Sequence, residues 1–71
     1  MIIKVNGRTI ELFAGASVGD AIRRHSREAW RNVRGKRAFV FDAWGNEIAL
    51  DGALSEGDEI FVRSSGAGER S

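Results

Sequence analysis

A chain of 71 residues with 42% hydrophobic and 30% charged content makes one small domain, which buries about 60% of the surface its unfolded form exposes and has no room for a deep enclosed cavity. It has no cysteine and a single histidine, which excludes disulfides, thiolate chemistry and a cysteine zinc site, and no metal or other cofactor is expected. The net charge of +1 hides a segregation: residues 23–37 hold seven Lys or Arg and one acid, whereas residues 42–59 hold six acids and no Lys or Arg, so the chain either shows partners two surfaces of opposite sign or neutralises itself within the fold.

Met1 leads at once into an alternating pattern, and no apolar run approaches the ~20 residues that cross a bilayer. Neither a secretory signal nor a membrane span is expected, and the expected location is cytoplasmic. Ile2 to Val5 and Arg8 to Phe13 flank Asn6-Gly7. Asn-Gly between alternating runs predicts an antiparallel hairpin, because a type I′ turn needs positive φ at both central residues. Ile3, Val5, Ile10 and Leu12 then share the buried face, with Lys4, Thr9 and Glu11 outside.

Ser17 to Arg34 is the one stretch long enough for a substantial helix. Val18, Ala21, Ile22, Ala29, Trp30 and Val33 recur at helical spacing, with His25 at the centre of the stripe. Ser17 is a good N-cap, Asp20 completes a capping box, and Gly35 supplies the stop. Arg23, Arg24, Arg27, Arg31 and Arg34 occupy the opposite face, where a partner could be held.

After Gly35, Arg37 to Asp42 has strand propensity. Ala38 and Val40 lie on one face and Phe39 and Phe41 on the other, and the pattern does not say which face is core. Trp44, Gly45 and Asn46 form a turn, Glu47 to Leu50 a short strand, and residues 51–57 a tight turn with a brief helical turn that pins Leu54 inward. Asp58 to Arg63 is the last strand, with Ile60 and Val62 facing in. The expected core is Ile3, Val5, Ile10, Leu12, Val18, Ile22, Leu54, Ile60 and Val62. Residues 64–71, SSGAGERS, lack periodicity and any large apolar group, so a mobile tail is expected beyond a domain of residues 1–63.

The order is ββαββ with one helix packed across a mixed four- to five-stranded sheet, an α+β fold of the β-grasp or ubiquitin-like kind. A right-handed connection from the second strand through the helix to a later strand is expected. Val5 to Ile22 resembles the start of the small sulfur-carrier proteins of thiamine and molybdopterin synthesis (ThiS and MoaD), and Leu54 to Val62, LSEGDEIFV, resembles the Leu-x-x-Gly-Asp-x-Ile approach to their last strand. That resemblance implies a carrier, not an enzyme. Its tail would reach an E1-like activating enzyme, which adenylates the terminal carboxylate and converts it to a thiocarboxylate. Ser65-Gly66-Ala67-Gly68 occupies the place of the family's tail, but there is no Gly-Gly and Glu69, Arg70 and Ser71 follow. Either those residues are trimmed to expose Gly68, or the carrier function is lost and a protein-interaction module remains.

Other chemistry is weaker. His25 and Ser26 are adjacent on a helix, hence about 100° apart, with no orienting third group. Gly15-x-x-x-Gly19 lacks the Gly-Lys-Ser/Thr ending that grips a phosphate and reads as loop geometry. Asp42, Asp51 and Asp58 read as turn formers. The arginines suit phosphate, which leaves a TGS-like RNA-binding module as an alternative, yet the acidic second half and a pI near 8.4 favour an acidic protein partner. Trp44 is a further candidate contact because tryptophan is enriched at hot spots, with folding over the sheet edge as the alternative.

Overall fold

The computed structural model describes residues 1–64. Two short strands, β1 (Ile2–Val5) and β2 (Arg8–Glu11), form the hairpin expected from Asn6-Gly7. Asn6 and Gly7 have φ of 53° and 81°, the positive values that the turn demands. Asn6 does more than turn the chain. Its amide donates to the Ile60 carbonyl and its Oδ1 accepts from the Val62 amide, which ties the hairpin to the last strand.

The expected single helix is two, α1 (Val18–His25) and α2 (Arg27–Arg34). Ser26 lies between them in extended conformation, with φ −163° and ψ 124°. Its amide closes α1 on the Ile22 carbonyl, and its hydroxyl caps α2 by accepting from the Ala29 amide at 3.1 Å. A serine hydroxyl competes with helical bonding in this way, so the break arises locally. The apolar stripe survives it: Val18, Ala21 and Ile22 are buried, and Ala29, Trp30 and Val33 pack on the core half-buried. Ser26→Ala is expected to cost about 0.5–2 kcal/mol, the range for losing an N-cap. Urea unfolding checks this, and an unchanged midpoint would mean that the hydroxyl does not stabilise α2.

The capping box at Ser17 and Asp20 is present. Gly35 is the C-cap, but the positive φ falls on Lys36, at 63°. Lys36 and Arg37 donate to the Val33 and Asn32 carbonyls, a Schellman closure without glycine at its left-handed position. Gly19 belongs to the first turn of α1 rather than to a loop. A Cβ there would meet the Leu50 carbonyl oxygen at 3.2 Å. The Val18 and Gly19 amides donate to Gly52 and Leu50, satisfying donors that a helix start leaves open.

Three strands complete the sheet: β3 (Ala38–Asp42), β4 (Glu47–Ile48) and β5 (Glu59–Ser64). The order across it is β2-β1-β5-β3-β4, with β5 parallel to β1 and antiparallel to β3. β4 stops two residues short of expectation, and residues 51–57 are irregular instead of helical, with Ala53 bridged to Ser17. Ser64 belongs to β5, paired with Ala38, so the domain includes it. The rest of the expected mobile tail, with Gly66, Ala67 and Gly68, lies outside the described residues.

The expected core forms one cluster. Ile3, Val5, Ile10, Leu12, Val18, Ile22 and Ile60 are buried in it, and Leu54 and Val62 pack against it half-buried. Ala38 and Val40 are also buried, which settles β3: its inner face is the small one, and Phe39 and Phe41 face away from the helices. Among the described residues no helix is long and apolar enough to cross a membrane.

Candidate functional site

β5 lies between β1 and β3, at the middle of the sheet, so residues 65–71 continue from the central strand. Beside that strand the outer face of the sheet is aromatic. Phe41 and Phe61 are directly paired across β3 and β5, and Phe39 is paired with Arg63. Because Val40 and Ile60 point inward, these alternate residues share the outer face. Phe41, Phe61 and Arg63 line a depression of about 430 Å³ whose side is the turn between β3 and β4, through Ala43 and Gly45.

Asp42 builds that turn. Its Oδ1 accepts from the Trp44 and Asn46 amides, both at 2.9 Å, while its own amide donates to the Asn46 carbonyl. Gly45, at φ 87°, supplies the left-handed residue the tight reversal needs. The result projects Trp44 into solvent, 84% exposed, which decides against its folding over the sheet edge. The Asn46 amide is the main reason the Asp42 carboxyl is held below its usual value of 3.8; partial burial opposes this, and the Trp44 amide reinforces it.

A depressed carboxyl stabilises the fold above its unfolded value and loses that contribution as pH falls through the folded one. The stability gap between the wild type and Asp42→Asn is therefore expected to be wider at neutral pH than in strong acid, as read by urea unfolding. An identical gap at both would contradict the charge-assisted turn.

The five predicted arginines are all exposed and gathered around the two helices. Arg23 and Arg34 stack on the Trp30 ring at 4.9 and 5.1 Å from its centroid, one from each helix, so Trp30 is a clasp across the Ser26 break as well as a core residue. Arg23, Arg27, Trp30 and Arg31 line one shallow depression, and Arg23, Arg24 and Arg27 line a second, next to Phe13. The arginine cluster and Trp44 lie on separate parts of the molecule: the helical layer and the tip of the β3–β4 turn.

Sequence reasoning did not single out the Phe41–Phe61 pair or Phe13. Its signal was present, since inward Ile60 and Val62 place Phe61 outward. His25 is half-buried, and its Nδ1 is enclosed with no hydrogen-bond partner among the described residues. Among the described residues no three His, Cys, Asp or Glu side chains are grouped to hold a metal.

Structural comparison matches this arrangement to the crystal structure of SAMP1 from Haloferax volcanii, with a TM-score of 0.63 over 94% of this chain and 96% of that one. The fold is the β-grasp. Sequence identity is 20%, so the likeness is one of fold. No sequence-family profile and no curated protein sequence matches the chain.

Proposed function

We propose that this chain is a ubiquitin-like module of the sulfur-carrier type, acting through protein partners and through the tail that follows β5. The observation that carries the reading is the central position of β5 beside the outer aromatic face, which would deliver the tail from the middle of the sheet. The β-grasp likeness to SAMP1 and the ThiS- and MoaD-like stretches at residues 5–22 and 54–62 support it. Phe41, Phe61 and exposed Trp44 would anchor an E1-like activating enzyme, because large aromatics give contact area at little entropic cost. Gly66, Ala67 and Gly68, with almost no side chain, suit a narrow passage. There the Gly68 carboxylate would attack the α-phosphorus of ATP, releasing pyrophosphate, and a sulfur donor would then displace AMP.

Such chemistry at Gly68 requires removal of everything after it. Intact mass of the protein from its native source tests this. The expected result is loss of the residues after Gly68 together with the mass gain of sulfur for oxygen. An unprocessed and unmodified chain would contradict it. The second reading, a protein-interaction module without carrier chemistry, is favoured by the lack of Gly-Gly and by Glu69, Arg70 and Ser71 following Gly68.

A further inference from the structure

Among the described residues β2 is the outermost strand on its side of the sheet and pairs only with β1. Leu12 exchanges both backbone bonds with Met1, each at 2.8 Å. Antiparallel pairing alternates, so Ile10 and Arg8 also turn their amides and carbonyls toward β1, and those of Thr9 and Glu11 point outward along an open edge. Such an edge is a template for another strand.

A groove runs along this edge beneath α1. Its larger part, about 590 Å³, is flanked by Leu12 and Phe13 on one side and Arg23, Arg24 and Arg27 on the other. A smaller part, about 220 Å³, continues past Thr9 and Ile10 to His25 and shares Glu11 and Arg24 with the first. Phe13 is 64% exposed at one end, an apolar surface left largely open by the described residues. Three guanidinium groups face two carboxylates in the larger part. One of these, Asp20, is already held by the Ser17 amide and hydroxyl at 2.9 and 3.1 Å. The groove therefore keeps a positive excess, which Arg31 on the adjoining depression and Arg8 on the smaller part extend.

We infer that this groove binds an extended acidic polypeptide segment carrying at least one large apolar side chain. The segment's backbone adds a strand to the Thr9 and Glu11 edge, its apolar side chain covers Phe13 and Leu12, and its carboxylates meet Arg23, Arg24 and Arg27. A polynucleotide fits less well, because it cannot pair with a strand edge and Glu11 and Asp20 would stand in the path of its phosphates. The residues that line this groove belong neither to β5 nor to the aromatic outer face beside it, so its occupancy does not depend on carrier chemistry.

The test titrates the isotope-labelled full chain with a short synthetic peptide whose central Val and Leu residues are flanked by Glu. Controls are the same peptide with Lys for Glu, and an oligouridylate. The expected result is amide shifts confined to residues 8–13, α1 and the first turn of α2, slowed hydrogen exchange at the Thr9 and Glu11 amides, and no binding of the Lys peptide. The double variant Arg24→Glu with Arg27→Glu should weaken binding at least about tenfold, equivalent to ~1.4 kcal/mol. Phe13→Ala should weaken it as well, and because all three side chains are exposed the unfolding midpoint of each variant should stay at that of the wild type. Equal binding of the Lys peptide, tighter binding of the oligouridylate, shifts on the outer sheet face, or self-association that fills the groove would each overturn the inference.

Discussion

Ile22→Ala is expected to lower the folding free energy by about 2 to 5 kcal/mol, the range for removing a large buried aliphatic side chain. Ile22 has no exposed surface and lies in α1 against a cluster that includes Ile3, Val5, Ile10, Val40 and Ile60. The cost has two parts: the transfer energy of the lost carbons, and the cavity that a sheet on one side and a helix on the other cannot collapse to fill. At about 0.05–0.15 kcal/mol per residue, a domain this short has little stability to lose, so the variant should be largely unfolded at modest urea. Arg31→Ala, on the exposed face of α2, is the control and should fall within about 0.5 kcal/mol of wild type. A loss below about 0.5 kcal/mol for Ile22→Ala would mean that the apolar stripe does not hold the sheet.

That stripe was legible because helical spacing constrains which side chains can face one way, whether or not the helix is continuous. The break was not, since Ser26 reads in sequence as one more polar residue on a solvent face. Its only signal is a serine with Glu28 two residues on, a weak helix start. The hairpin was legible at Asn6-Gly7 because few residues tolerate its dihedrals, yet the bond from the Val62 amide to Asn6 joins positions 56 residues apart and has no local signature.

The orientation of β3 likewise needed the sheet. Ala38 and Val40 are no better core residues by type than Phe39 and Phe41, and only pairing with β5 placed the large aromatics outside. Of the candidate contacts, the arginines were found by periodicity and Trp44 by residue type. The open β2 edge and the groove above it depend on strand order, which no periodicity encodes.

Carrier chemistry at Gly68 would be hindered by the residues that follow it. In the full chain Glu69 and Arg70 put two charged side chains after Gly68. A passage shaped for glycine would have to desolvate both without partners, a penalty of several kcal/mol per ion. Fixing a backbone in one conformation costs about 1 to 2 kcal/mol per residue, which such a passage would have to offset by close contact along the main chain. On the carrier reading, a chain ending at Gly68 would meet only the second cost and would place its carboxylate at the reacting position.

The direct measurement incubates both forms with ATP and the sulfur-carrier activating enzymes of the source organism, and follows pyrophosphate exchange and the acyl-adenylate by mass. The chain ending at Gly68 is expected to be adenylated and the full-length chain to remain inert. A shortened form that is equally inert with every one of those enzymes would contradict the carrier account and leave the interaction module in its place.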